Sequence, residues 1–581
     1  MSSTRSLRCA PVWFVLATLA LTLPAAAKAQ VTPAATAGLE SSTVPGAAPQ
    51  GAPIAQPPAP PEYFQLPPLQ KIQRSPQAYG VDAAPSVVLK TIEVTPNSLL
   101  TPDEVKRVTS VYLGVPVTLE DVEGLRDALT EMIVAKGYIN SGALLPDQDI
   151  SSGKLSITIV EGKLSHVEVT GTTYLNQAYI VQRLKIDPNT PLSAAELQTA
   201  YQLLLQDRNL SHLNARLLPG DKPGEAVFDI DATEQPRYGW SAFAASDRSP
   251  AVGDTRGGLS GHFASLALPG DDVSGEIGRT AGMTDEALSY SAPLTAQNLM
   301  LNVQVQGANA KILSHPFNLL DAISDSLYES LGLSYPLIVE PGRSLVLASE
   351  IDHIRVRTAL LGQDFSFSPG AVDGITEYTT SRTTLTYSYF SNVSSYVVSL
   401  MGSKGLLGNR MATGVDRDFG YFDLSGSYIR RINDANHRLV LKGALRTGHE
   451  ALYATEMFVI GGGNTVRGYR QNALLGTSGY WASAEYQVPL VSVIHLRSQV
   501  PSYIAPSTLM IGAFLDTGHV GAFASPSAGG PRDLTAVGLH TVWSPTSRFD
   551  IDMYFAAHLR KKEYSGSYQD EGFGFATHYK F

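Results

Sequence analysis

The chain has 581 residues, 17% of them charged, and a formal net charge of −10. That length allows several domains, and the acidic balance gives no electrostatic footprint for nucleic acid. The single cysteine, Cys9, lies in an N-terminal segment read as a removed signal, so disulfides, cysteine catalysis and thiolate metal sites are excluded from the mature chain.

Arg5 and Arg8 precede the apolar run VWFVLATLALTL at 12–23, which is too short to cross a membrane as a helix. Ala27-Lys28-Ala29 is a small-x-small cleavage site, so residues 1–29 read as a secretory signal peptide and the mature chain starts at Gln30. An uncleaved anchor is the alternative reading of the same run. Residues 30–85 are rich in Pro and Ala, with GAPIAQPPAPPEYFQLPP at the centre, and read as a linker that cannot bury a core. No later run of ~18 apolar residues follows. The exported chain is therefore free in the periplasm, secreted, or an outer-membrane β-barrel.

Residues 86–235 read as compact α/β sequence built twice. IEVT at 92–95 recurs as VEVT at 167–170, an offset of 75 (167 minus 92), and Pro116-Val117-Thr118 recurs as Pro191-Leu192-Ser193 at the same offset. Each copy runs strand, short helix, longer helix, strand, strand. In the first, Thr118 caps a helix with Val122, Leu125, Leu129, Met132 and Ile133 on one face, and Gly137 ends it. In the second, Ser193 and Glu196 are expected to form a capping box ahead of Leu197, Tyr201 and Leu204. GYINSGALLP and KLSITIVEG supply the first unit's final strands.

From 236 to 581 the pattern changes to strict alternation. Leu299, Leu301, Val303 and Val305 oppose Asn302, Gln304 and Gln306. Leu385, Tyr387 and Tyr389 oppose Thr384, Thr386 and Ser388; Tyr480, Ala482, Ala484, Tyr486 and Val488 oppose Trp481, Ser483, Glu485 and Gln487. Phe549, Ile551, Met553 and Phe555 oppose Asp550, Asp552, Tyr554 and His558. Period two with one apolar and one polar face means half-buried strands. A soluble sandwich gives the same local pattern, but export, length and glycine-rich turns favour a transmembrane barrel with a wet lumen. About 20 residues per strand and connection predict ~16 strands. The last stretch puts Phe573, Phe575, Thr577, Tyr579 and Phe581 on one face, which suits a closing strand with an aromatic end at the membrane interface.

GGGNTVRGYR at 461–470 lies between the possible strand ALYATEMFVI and the strand YWASAEYQV, hence in a long loop. It fails as a phosphate loop, because no Lys-Ser or Lys-Thr follows. A flexible surface loop with a solvated arginine is one reading. In STLMIGAFLDTGHV, however, Leu509, Ile511, Ala513 and Leu515 form the lipid-facing side, so Met510, Gly512, Phe514 and Asp516 face the lumen. A lumen carboxylate wants a cation or donors, and Arg467 on a folded-in loop offers a bidentate partner. A solvated Asp516 is the alternative.

Two repeats of about 75 residues, a barrel, a Val-Arg-Gly-Tyr loop, a Phe-x-Asp strand and a terminal Phe together resemble the haemolysin and filamentous-adhesin secretion/activation proteins, the outer-membrane transporters of two-partner secretion. The resemblance covers residues 86–581. KGYINSGALLPDQDISSGKLSITIVEG is similar to the end of that family's first POTRA (polypeptide-transport-associated) unit, and DRSPAVGDTRGGLSGHFASLALPGDD resembles its opening barrel strands. It implies POTRA domains at 86–163 and 164–235 in the periplasm and a 16-stranded antiparallel barrel at 236–581 in the bacterial outer membrane. It also implies a loop tip of Val466, Arg467, Gly468 and Tyr469 docked on Phe514 and Asp516. Phe573, Phe575, Tyr579 and Phe581 become the C-terminal barrel signal. The partners it implies are a large secreted exoprotein of haemolysin, adhesin or toxin type, outer-membrane lipid and the barrel-assembly machinery, with no nucleic acid, metal or cofactor. The family often carries an N-terminal plug helix, for which residues 31–61 are too rich in Pro and Gly.

Three other functions compete. A barrel-assembly or insertion factor of the same superfamily shares the barrel and arginine loop but usually carries more POTRA units. A barrel enzyme lacks support, since neither G-x-S-x-G nor H-E-x-x-H occurs and no catalytic residue is assigned. A passive porin does not need paired periplasmic domains.

Overall fold

The structure is a computed structural model that describes residues 86–315, 317–448, 451–490, 509–521, 532–559 and 566–581. The signal peptide, the Pro/Ala-rich linker and the question of a plug lie outside the described residues. The chain divides into two compact units, one ending at Gln235 and one running from Pro236 to Phe581.

The first unit holds two β-α-α-β-β repeats. In the first, the Thr91–Val94 strand pairs in parallel with Lys154–Val160, which pairs antiparallel with Gly142–Leu144. In the second, Lys163–Thr170 pairs in parallel with Glu225–Glu234, which pairs antiparallel with Leu210–Pro219. Two helices cover each sheet, Pro102–Thr109 and Leu119–Ala135 in one, Gln177–Leu184 and Ala194–Leu204 in the other. Local chemistry explains the starts: Thr101 with Glu104, and Thr118 with Asp121, make complete capping boxes. Val122, Leu125, Leu129 and Ile133 then share the buried stripe of the longer helix with Leu155, Ile157 and Ile159 of the sheet.

The second repeat corrects one expectation. Ser193 stands at the N-cap position but makes no side-chain cap, so the box with Glu196 does not form. The first N–H of that helix, on Ala194, donates to the Gly137 carbonyl of the first repeat at 2.9 Å. The helix start is used as a joint. Leu192 N–H donates to the Gly162 carbonyl at 2.8 Å, and Asn140 Nδ2 donates to the Gly224 carbonyl at 2.9 Å. Gly162 must be small, because a Cβ there would lie 2.3 Å from the Asn140 carbonyl oxygen.

In the second unit, sixteen antiparallel strands close into a barrel, from Tyr238–Ala245 to Phe573–Lys580; the short Gln363–Asp364 strand only adds to the edge of Arg343–Leu360. Closure pairs Ala576 to Lys580 with Ala245 to Ser241. The opening strand, YGWSAFAA, lies before the DRSPAVGDT stretch; that stretch forms the connection to the next strand, Arg256–Ala264.

Polarity is inverted relative to a soluble core. Along Ile323–Glu340, Ser324, Ser326, Tyr328, Ser330 and Ser334 are buried, while Leu327, Leu331, Leu333 and Tyr335 are exposed. Leu539 faces Phe555 across its strand pair, both on the outside and about 60% exposed (59% and 61%). Asp352, Arg382 and Asp516 point inward and are essentially inaccessible. An apolar exterior around a polar interior is stable only where hydrocarbon replaces water outside, so this is a membrane barrel. The possible strand ALYATEMFVI is not a wall strand. Ala454–Glu456 is a 3₁₀ turn, and only Phe458–Ile460 is extended, paired with Leu474–Gly476.

Candidate functional site

Arg438–Thr447 is the eleventh wall strand, so the connection from 448 to 478 leaves the barrel at the end opposite Tyr238. It then folds back into the lumen. The Phe458–Ile460 and Leu474–Gly476 hairpin gives it a stem, and Gly461 and Gly462, with φ of 110° and 96°, turn the chain at the end of that stem.

Arg467 stands at the tip and is 7% exposed. Its Nε donates to Asp516 Oδ2 at 2.8 Å and its Nη2 to Asp516 Oδ1 at 2.9 Å, a fork on both oxygens. The Arg467 backbone N–H adds a third bond to Asp516 Oδ2 at 3.0 Å. Nη1 donates to Glu485 Oε2 at 2.7 Å, and Nη2 also reaches Ser483 Oγ at 3.0 Å. The guanidinium carbon sits 3.5 Å from the centre of the Phe514 ring. All three guanidinium nitrogens are thus engaged.

The strands make this receptor by register. Ser483 pairs with Asp516, and Glu485 with Phe514, across neighbouring strands. Period two puts all four on the lumen face. Glu485 is in turn held by His540 Nδ1 at 2.7 Å and by Gln487 Nε2 at 2.7 Å.

The other tip residues have separate tasks. Val466 is fully buried among Ile460, Trp481 and Phe514. Gly468 has φ 90°, and a Cβ there would lie 2.7 Å from Ala556 Cβ. Tyr469 donates its hydroxyl to the Thr535 carbonyl at 2.8 Å and sets its ring edge against His558. Beyond the tip, Arg470 forks onto Asp570 at 2.7 and 2.9 Å, and Gln471 N–H donates to Gln569 Oε1 at 2.7 Å. Burial would raise the Asp570 carboxyl, but Arg470, together with the backbone and hydroxyl of Ser567, outweighs it and holds that group below its ordinary value. Gln569 Nε2 donates to the Arg248 carbonyl at 2.6 Å, beyond the end of the opening strand.

Phe573, Phe575, Tyr579 and Phe581 are not brought to the loop. Phe573 and Phe575 stack at 6.1 Å, Tyr579 packs near Phe549, and Phe581 N–H donates to the Trp240 carbonyl at 3.0 Å. Sequence reasoning assigned no partner role to Glu485 and Ser483, although the alternation placed them on the right face. It also missed Glu456, Arg470 and Gln569, which lie where no periodicity operates.

A closed sixteen-stranded barrel with an apolar exterior, an inward arginine loop and two N-terminal β-α-α-β-β units defines an outer-membrane barrel transporter with POTRA domains. Comparison narrows the class. Residues 87–162 match the POTRA domain, ShlB-type, and residues 229–539 match the haemolysin secretion/activation protein ShlB/FhaC/HecB. The outer membrane transporter CdiB of Escherichia coli O6:K15:H31 (strain 536 / UPEC) is 22% identical over 437 residues, 73% of this chain and 72% of that one. The heme/hemopexin transporter protein HuxB of Haemophilus influenzae (strain ATCC 51907 / DSM 11121 / KW20 / Rd) is 22% identical over 264 residues, 44% of this chain and 46% of that one. The solved structure of CdiB from Escherichia coli superposes with a TM-score of 0.60 at 18% identity, covering 88% of this chain and 93% of that one. The chain belongs to the haemolysin secretion/activation protein family, the outer-membrane transporters of two-partner secretion.

Proposed function

We propose that this transporter serves one large exoprotein, of haemolysin, adhesin or toxin type, which its two POTRA domains (86–163 and 164–235) meet unfolded in the periplasm. Each three-stranded sheet has outer strands with one sheet neighbour, Leu210–Pro219 being the longest among the described residues. An extended substrate adds there by main-chain pairing, which tolerates varied side chains. It then passes the barrel as a strand or hairpin and folds outside. No nucleotide site is read in the sequence, so folding at the surface supplies direction. Outer-membrane lipid solvates the apolar wall, and the aromatic face of Phe573, Phe575, Tyr579 and Phe581 serves as the signal for the barrel-assembly machinery.

The observation that carries this reading is the fork of Arg467 on Asp516 inside the barrel. A loop fixed by a buried ion pair occupies one position, and moving it requires that pair to be released. The Arg467–Asp516 contact therefore holds the loop in its working place. Arg467→Ala and Asp516→Ala are expected to insert at wild-type levels and to secrete less exoprotein. Wild-type secretion by both variants, at matched barrel levels, removes the loop from the mechanism.

A further inference from the structure

Eleven positions before Arg467 (467 minus 456), the same loop buries a charge of opposite sign. Glu456 is fully inaccessible, on the 3₁₀ turn that leads into the loop's stem. A carboxylate so placed persists only with a full set of donors. Arg382 Nη2 reaches Glu456 Oε1 at 2.7 Å, the Tyr378 hydroxyl reaches the same oxygen at 2.7 Å, and the Tyr421 hydroxyl reaches Oε2 at 2.5 Å. The backbone carbonyl of Glu456 accepts from Arg446 Nη1. The residues just before Glu456 are held on the same tyrosine: Thr455 Oγ1 lies 2.6 Å from the Tyr378 hydroxyl, and the Tyr453 ring stacks on Tyr378 at 4.1 Å.

The wall is built to receive it. Arg382 is also bound to Asp352, whose other oxygen accepts from the Tyr328 hydroxyl at 2.8 Å. Arg446 forks onto Asp423 at 2.6 and 2.5 Å. Each of the two wall arginines is thus held by a wall aspartate, and each has one further donor for the loop, Arg382 for the Glu456 carboxylate and Arg446 for its backbone carbonyl. These partners stand on Ile375–Phe390, Gly420–Arg431 and Arg438–Thr447. The receptor of Arg467 stands on Gly479–Pro489 and Leu509–Val520, on the other side of the strand pair that the loop connects.

We propose that Glu456 is a second positioning residue for secretion: it fixes where the loop enters the lumen, as Arg467 fixes where its tip ends. The loop is then pinned at two points of opposite charge, and releasing the tip alone leaves its base in place. This rests on the reading that the loop's position governs secretion, and the test separates the two.

Spin labels at Ala454→Cys and Asp434→Cys, in a mature chain that holds no other cysteine, report the distance from the turn that carries Glu456 to a wall turn. Glu456→Gln keeps the side chain's shape and removes its charge. The expected result is a broadened distance distribution in a folded, heat-modifiable barrel, with secretion reduced about tenfold or more, because breaking one side of a buried pair is costly. An unchanged narrow distribution overturns the proposal. A broadened distribution with normal secretion supports Glu456 as an anchor and counts instead against the loop's role in secretion. Should Glu456→Gln fail to assemble, Tyr421→Phe removes one donor to the carboxylate, leaves both arginines, and is read against the same two outcomes.

Discussion

Arg467 and Asp516 are joined by three hydrogen bonds, two from the guanidinium and one from the Arg467 backbone, all between 2.8 and 3.0 Å. The backbone bond means that the loop's main chain, and not only a side chain, is fixed to the wall. Asp516→Asn keeps the shape but removes the charge and one acceptor oxygen. We predict that it undocks the tip, with a loss of about 3–5 kcal/mol in docking. Arg467→Lys is predicted to fail as a replacement, because an ammonium lacks the planar fork that serves Asp516, Glu485 and Ser483 together. Secretion assays at matched barrel levels check both; full activity of the lysine variant would show that charge alone suffices.

Gly468 is constrained twice, by its φ of 90° and by Ala556 behind it. Gly468→Ala adds a methyl to a left-handed residue already in contact. The expected cost is roughly 1–3 kcal/mol, concentrated at the tip. Protease protection of the loop should fall while the barrel's resistance to unfolding in detergent is kept. Equal protection in the variant and the parent would contradict this.

The two β-α-α-β-β repeats share hydrogen bonds through Gly137, Asn140, Gly162, Leu192 and Gly224. Residues 86–235 are predicted to tumble as one body in solution, described by a single alignment tensor in residual dipolar couplings. Gly162→Ala would push a methyl into the Asn140 carbonyl, lower stability by about 1–3 kcal/mol and separate the two tensors. Two tensors in the parent would mean that the joint is loose.

Acid acts on the first helix of that unit. The Lys136 ammonium, at 2.6 Å, followed by the Thr101 backbone N–H and hydroxyl, holds the Glu104 carboxyl down to about 2 from 4.5. A depressed carboxylate stabilises the fold above its unfolded value, so the contribution is complete above pH 4.5 and lost as the pH falls toward 2. A carboxyl-carbon NMR titration is predicted to give a midpoint near 2, returning toward 4.5 in Lys136→Met. A midpoint near 4.5 in the parent would contradict the capping-box account.

Much of this architecture is legible in the residues because period two is unambiguous where one face is wet and the other meets lipid. The face on which Asp516 stands follows from Leu509, Ile511 and Leu515 alone, and the offset of 75 marks the repeat. What is not legible depends on distant partners. Glu456 sits in ALYATEMFVI, whose apolar residues suggest a strand, and its arginines are 74 and 10 positions away (456 minus 382, and 456 minus 446). Ser193 matches a local capping rule that its side chain does not use, and the bond of Ala194 N–H to the other repeat could not be read from local sequence. Local chemistry names the candidates; tertiary contacts choose among them.

The central claim is that this barrel serves a dedicated secreted partner. The most direct test is the secreted and cell-surface proteome of the native host with and without this gene. The account predicts that one large protein disappears from the medium and accumulates or is degraded in the periplasm, while other outer-membrane barrels are unchanged. A joint fall of many barrels would instead identify an assembly factor and contradict it.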